Sequence, residues 1–83
     1  MIRHSDIDDK ALQIKIKNGN LCFGGNRNLK IYGTLHCKSG KRMKRPNRVF
    51  FVSEQEAIAN KYRPCGHCMR PAYKIWKLQT DNP

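Results

Sequence analysis

The first segment of the chain carries sequence signals for both a strand and a helix. Apolar and polar residues alternate between positions 12 and 17, which is the period of a strand. Ser5 followed by acidic residues instead resembles a capped helix N-terminus. The pair Asn18-Gly19 suits a left-handed helix end as well as a two-residue hairpin turn. We predict a helix over about residues 6–18, with a strand as the alternative.

Three apolar segments predict strands. The first covers residues 21–23 and is broken by the glycines that follow, and the second covers residues 29–32 and ends at Gly33. Residues 49–52 are Val-Phe-Phe-Val, a fully apolar run that is typical of a strand buried on both faces. We therefore predict that residues 49–52 form the central strand of a small sheet.

A helix start follows the apolar run directly. Ser53 and Glu56 have the spacing of a capping box, in which the hydroxyl accepts from the third helical amide. This predicts a short helix from Glu54 to Asn60 that turns Ala57 and Ile58 towards the core.

A last helix is predicted from about Pro71, because proline suits the first helical turn. Ala72, Ile75 and Trp76 form its apolar face at helical spacing. Residues 79–83 are expected to fray.

These elements predict one α+β domain spanning residues 1–83, with its core at about 20–78. A short antiparallel sheet would pack against two or three short helices. A chain of 83 residues buries only roughly 60–65% of the surface that its unfolded form exposes. We therefore expect the domain to be built around a metal site that supplements its small core.

The net charge of the chain indicates the kind of partner that it can bind. The chain has 17 Lys and Arg against six Asp and Glu, a formal net charge of +11, so polyanions are attracted to it. No apolar run approaches the ~18 residues of a membrane-spanning helix, and the first nine residues lack a signal-peptide core. We expect a monomeric cytoplasmic protein without a membrane or small-molecule partner, in which cysteines more often bind metal than form disulfides.

Cysteine spacing predicts a zinc site. Cys65 and Cys68 form a CxxC turn, which places two thiolates on one side of a tight loop, and Cys37 is a third ligand. We rank His36 as the fourth ligand, although a water ligand would also complete the site. Cys22 is the alternative fourth ligand, but its place in an apolar strand also fits a small core residue.

Basic residues cluster beside these cysteines. Six cations fall within residues 38–48, a density that excludes burial and favours contacts with nucleic-acid phosphates. No recognition helix is evident, so backbone contacts should dominate. The predicted nucleic-acid-binding residues are Lys38, Lys41, Arg42, Lys44, Arg45, Arg48, Arg63 and Arg70.

One long stretch resembles a known family. Asn47-Arg48-Val49-Phe50-Phe51, the Ser53-Glu54-Gln55-Glu56-Ala57-Ile58 run and Tyr62-Arg63-Pro64-Cys65-Gly66-His67-Cys68 are similar to the metal-binding domain of Ada, the DNA methyl-phosphotriester repair and regulatory protein. The resemblance implies a small α/β domain with zinc held by four thiolates, or by three thiolates and a histidine.

The resemblance also assigns positions within the site. Cys65 and Cys68 match the family's final ligand pair, and Cys37 matches the second ligand of its first pair. Gly33 stands where the family has the first ligand, the thiolate that accepts the methyl group. Lys61 stands where the family usually has glycine.

Three functions follow as hypotheses. The first is a zinc-stabilised module that contacts the DNA backbone, with a role in DNA repair or transcription regulation implied by the resemblance. The second is a single-turnover acceptor of methyl groups from DNA phosphotriesters; Cys37 is its one weak candidate nucleophile, because Gly33 has no thiol. The third is a protein-interaction module with structural zinc.

Overall fold

A computed structural model describes residues 1–37 and 43–80 of the chain. Five strands form one sheet in the order β1-β4-β2-β3-β5. The strands are β1 (Ile2–Arg3), β2 (Phe23–Asn26), β3 (Ile31–Thr34), β4 (Arg48–Phe51) and β5 (Arg63–Pro64). The helices are α1 (Asp9–Lys17), α2 (Glu54–Ala59) and α3 (Arg70–Thr80), with 3-10 turns at His4–Asp6 and Arg45–Asn47.

The sheet is mixed. Strands β1, β4, β2 and β3 pair with their neighbours in antiparallel fashion, whereas β5 pairs with β3 in parallel. The parallel pair needs a crossover, and the segment containing β4 and α2 supplies it. The predicted α+β class is confirmed, while the purely antiparallel arrangement is corrected by this one edge strand.

Strand β4 separates two apolar clusters. Val49 and Phe51 are fully buried and pack with Ala57 of α2, whereas Phe50 packs with Leu12 of α1. Because neighbouring strand residues point to opposite faces, helices cover both sides of β4. The prediction of a doubly buried apolar strand is confirmed, although the middle position of the sheet belongs to β2.

Glycines lie inside two strands, which the sequence analysis did not predict. Gly24 and Gly25 belong to β2, and Gly33 belongs to β3 instead of ending it. A Cβ added to Gly25 would lie 3.0 Å from both the Ile31 carbonyl oxygen and the Phe51 ring. Backbone and ring approach each other closely at Gly25, so packing overrides the low strand propensity of glycine.

The first segment forms a helix, in agreement with the favoured alternative. Its N-cap is Asp8, whose carboxylate accepts a 2.8 Å hydrogen bond from the Ala11 N–H, and not Ser5, which lies in the preceding 3-10 turn. The helix ends at Lys17 with Asn18 as its C-cap, and Gly19 adopts a left-handed conformation with φ of 75°. This confirms the predicted left-handed helix end.

Helix α2 confirms the predicted cap. The Ser53 hydroxyl accepts a 3.2 Å hydrogen bond from the Glu56 N–H. Ala57 is fully buried, but Ile58 is 56% exposed, so its predicted place in the core is wrong. Lys61 follows the helix with φ of 66°, which places a non-glycine residue in the left-handed region.

Helix α3 has Pro71 in its first turn, as predicted. Ile75 is 58% exposed, contrary to prediction, whereas Trp76 is half-buried and stacks against Tyr73 with ring centroids 5.9 Å apart. The helix continues to Thr80 and so includes two of the residues expected to fray; residues 81–83 lie outside the described part of the chain.

Candidate metal centre

Strand pairing brings the cysteine-bearing loops together. The Cys65 N–H donates a 2.7 Å hydrogen bond to the Tyr32 carbonyl, which extends the parallel β3–β5 ladder past its last paired residue. Cys65 therefore lies beside Gly33. The turn after β3 returns Cys37 towards the same place, since its N–H donates to the Thr34 carbonyl at 3.2 Å.

Three thiols converge at this end of the sheet. The Sγ atoms of Cys37, Cys65 and Cys68 all lie within 4.8 Å of one another, and all three side chains are partly buried. The Sγ atoms of Cys37 and Cys65 are 3.9 Å apart. A tetrahedral zinc with Zn–S bonds of about 2.3 Å requires sulfurs roughly 3.8 Å apart. The donor type and this spacing therefore fit zinc.

Backbone amides stabilise the cluster. The Thr34 N–H donates to Cys68 Sγ at 3.4 Å, and the His67 N–H donates to Cys65 Sγ at the same distance. Such bonds favour the charged form of the acceptor sulfur. Thr34 was not among the predicted site residues, because its contribution comes from the main chain and carries no side-chain signal.

Burial and hydrogen bonding oppose each other at Cys68. Burial raises the pKa of the Cys68 thiol, and the hydrogen bond from the Thr34 N–H lowers it in part. A thiol must lose its proton to bind a metal, so metal binding at these cysteines is coupled to proton release.

The two predicted fourth ligands lie elsewhere. Among the described residues, the donors that come within 4.8 Å of one another include neither His36 nor Cys22. His36 is exposed in the turn before Cys37. Cys22 is also exposed, contrary to a role as a small core residue, and its thiol donates to the Gly19 carbonyl at 3.4 Å. The ranking of His36 over Cys22 stays a prediction.

Gly33 borders the thiols directly. A Cβ built on Gly33 would lie 2.6 Å from Cys68 Sγ and 3.2 Å from Cys65 Cβ. A side chain at position 33 would therefore point into the cluster. With glycine at this position, the group comprises three thiols, and no His, Asp, Glu or further Cys among the described residues joins them.

The predicted phosphate-binding cations have different environments. Lys38, Lys41 and Arg42 lie outside the described residues. Lys44 and Arg70 are exposed.

Three arginines of the predicted set contact the domain itself. Arg45 donates to the Asp9 carboxylate at 3.0 Å and to the Ile7 carbonyl at 2.8 Å, joining its loop to the N-terminal segment. The Arg48 guanidinium lies 5.3 Å from the centroid of the Phe50 ring. Arg63 lies over Tyr73 and Trp76 at 5.3 and 5.4 Å.

Within the described part of the chain, no helix is both long and apolar enough to cross a bilayer. No curated protein and no solved structure matches the chain. A family model described as the metal binding domain of Ada matches residues 15–71, which is more than half of the chain. Together with the three-thiol cluster, this match identifies the metal as Zn²⁺. The chain belongs to the family of Ada metal-binding domains.

Proposed function

We propose that this domain binds DNA through its phosphate backbone and that Cys37, Cys65 and Cys68 hold the zinc that stabilises it. The observation that carries the proposal is an excess of 11 positive charges on an Ada-type zinc domain. Zinc supplies folding free energy here by cross-linking the turn after β3 to the loop after β5. A role in DNA repair or transcription regulation extends the proposal.

Most of the described carboxylates are hydrogen-bonded or ion-paired within the domain. The Glu54 carboxylate accepts a 2.9 Å hydrogen bond from the Tyr32 hydroxyl, and Glu56 pairs with the amino terminus. Asp8 caps α1 and Asp9 pairs with Arg45. These contacts engage four of the five described carboxylates, so the unbalanced charge that a polyanion meets is positive.

Cations lie on either side of the cysteines along the sequence. Lys44 precedes β4 and Arg48 is its first residue. Arg63 stands two residues before the CxxC turn and Arg70 two residues after it. Lys44 and Arg70 are exposed and suit phosphate contacts. The half-buried Arg48 and Arg63 guanidiniums lie over aromatic rings, which orients them while leaving their charge in place.

Methyl acceptance has less support than DNA binding. Gly33 provides no thiol at the family's acceptor position, which leaves Cys37 as the candidate nucleophile. Incubation with methylated DNA and measurement of intact mass decides this point: an added mass of one methylene group on Cys37 would establish the enzyme.

The DNA proposal is tested by fluorescence anisotropy with a labelled duplex at several salt concentrations. We expect the logarithm of the affinity to fall linearly with the logarithm of salt concentration, with a slope of about −0.9 per neutralised phosphate. The double variant Lys44→Ala, Arg70→Ala should weaken binding and reduce that slope by about two.

The matched control removes the same charge from another element. Lys10→Ala, Lys17→Ala changes two exposed lysines of α1, on the opposite side of the sheet from α2. We expect this pair to change affinity much less than the Lys44 and Arg70 pair. Equal losses in both pairs would show that any cation contributes alike, which would overturn the proposed face and favour an interaction module whose charge is not specific to DNA.

A further inference from the structure

A cavity of about 310 Å³ borders the thiol cluster. Cys37, Cys65 and Gly33 form one side of it, and apolar side chains such as Leu29, Ile31 and Met43 form much of the rest. This volume is at the lower end of the range for ligand pockets, roughly 300–1,000 Å³. The cavity therefore suits a small molecule with an apolar body.

Gly33 adjoins both the thiol cluster and the cavity. Tetrahedral zinc takes four ligands, and the described residues bring three thiols together. Gly33 lies against two of those cysteines, where a side chain would point at Cys68 Sγ, and it also lines the cavity. Cys37 and Cys65 line the cavity as well, so a molecule bound in the cavity would lie beside two of the three thiols.

We propose that the fourth zinc ligand is supplied from outside the chain, by the sulfur of a small apolar thiol that binds in the cavity beside Gly33. This inference rests on the proposed ligand set Cys37, Cys65 and Cys68. Sulfur is the donor type that the site already uses, and thiolate is a good ligand for zinc.

Charge and hydrophobicity agree with this class of ligand. A fourth thiolate adds one negative charge, and the cavity wall includes Arg48 and His67 on a chain of formal net charge +11. Burial of the apolar body against Leu29, Ile31 and Met43 adds binding free energy in proportion to its area. On binding, the S–H bond would break and its proton would pass to the buffer, and the sulfur would replace a solvent molecule at the metal, with no oxidation or reduction.

The test uses the full chain loaded with Co²⁺, whose absorption spectrum reports ligand type and geometry. Titration with benzenethiol should give a saturable spectral change towards four-sulfur tetrahedral coordination. The more polar 2-mercaptoethanol should require at least about tenfold higher concentration, because it buries less apolar area and because its less acidic thiol supplies less of the thiolate that binds metal. A spectrum that stays unchanged up to millimolar benzenethiol would overturn the inference.

Two variants test the geometry. Gly33→Cys adds a fourth thiol beside the cluster, and Cys68 Sγ must shift to admit its Cβ, which would otherwise lie 2.6 Å away. With four thiols on one metal, the cobalt protein should show the four-sulfur spectrum without added thiol and should no longer respond to it. Leu29→Ala changes a residue that is 65% exposed, which protects the fold, and should weaken benzenethiol binding more than 2-mercaptoethanol binding. If Leu29→Ala weakened both thiols equally, or neither, the cavity would not be the binding site.

Other sources of the fourth ligand give distinct results. A change in the cobalt spectrum of His36→Ala before thiol is added would assign the position to His36 and overturn the inference. A four-sulfur spectrum that appears only with dimerisation would assign it to a second copy. If the protein binds one cobalt ion and binds the DNA duplex with unchanged affinity, but added thiol has no effect, only this inference fails. Failure to bind cobalt would overturn the ligand set of the proposed function.

Discussion

The two ends of one sheet are stabilised by different means. Around β4, Val49 and Phe51 are completely buried against α2 and neighbouring aromatic rings, while Phe50 packs on the α1 side. At the β3–β5 edge, partly buried thiols meet beside Gly33, which has no side chain to pack. Apolar area holds the first region together, and donor atoms that need a metal hold the second.

This difference indicates how a small domain divides its stabilisation. Within the described part of the chain, eight buried apolar residues form two clusters. The larger cluster includes Tyr32, the neighbour of Gly33, and Met69, the neighbour of Cys68, packs against it. Helix α3 contacts the sheet mainly through β5, the short edge strand that leads into Cys65. The thiols therefore lie at the rim of the larger cluster, and removal of the metal should affect the β3–β5 edge more than β4.

The largest expected effect is that of metal removal. Structural zinc contributes on the order of 10 kcal/mol in small domains at neutral pH. We expect a chelator to abolish amide-exchange protection at Cys65 and Tyr73, while the amides of β2 and β4 keep much of their protection. Addition of zinc should restore the protection at Cys65 and Tyr73. Equal loss of protection throughout the sheet would show that the two regions form one cooperative unit.

The next effect is that of a cavity in the apolar region. Phe51→Ala removes a fully buried ring and should lower the free energy of unfolding by about 3–5 kcal/mol. The adjacent Val52→Ala changes a residue that is 53% exposed and should cost no more than about 0.5 kcal/mol. Denaturant unfolding of the zinc-loaded protein measures both, and similar losses would contradict the assignment of the core to β4.

Two neighbouring glycines offer a smaller and sharper test. A Cβ at Gly25 would approach backbone and ring atoms to 3.0 Å, whereas a Cβ at Gly24 has its nearest contact at 3.8 Å. Gly25→Ala should therefore lower the free energy of unfolding by about 1–3 kcal/mol. Gly24→Ala should be close to neutral in the same thermal or denaturant measurement. A larger loss at Gly24 than at Gly25 would contradict close packing as the reason for glycine at position 25, since alanine is no worse than glycine in a strand.

The smallest expected effect is a gain in stability. Lys61 holds φ of 66° after α2, a conformation that glycine adopts without steric cost. Lys61→Gly should raise the free energy of unfolding by up to about 1 kcal/mol. Lys61→Ala is the matched control, since it removes the same side chain but keeps the Cβ, and it should give no gain. Equal effects of the two substitutions would show that backbone strain is not the cause.

Short sequence patterns, such as helix caps and apolar runs, predicted several elements of this fold correctly. The Ser53 cap, Pro71 in the first turn of α3 and the apolar run of β4 all depend on neighbours in the chain. The exposure of Ile58 and Ile75 could not be predicted, because helical spacing identifies an apolar face without showing whether another element covers it. The strand predicted at residues 21–23 instead covers Phe23–Asn26, and its glycines were excluded for a related reason: the stability of β2 comes from contacts across the sheet.

For the candidate site too, some properties follow from local sequence and others only from the tertiary structure. The sequence by itself determined the charge of +11, the CxxC pair, the chemical preference for zinc and the resemblance to the Ada metal-binding domain. Only the tertiary structure decided that Cys37 meets that pair, that His36 lies outside the thiol group and that Gly33 faces it. The physical reason is that ligand type and charge belong to single residues, whereas the distance between sulfurs depends on how β3 pairs with β5.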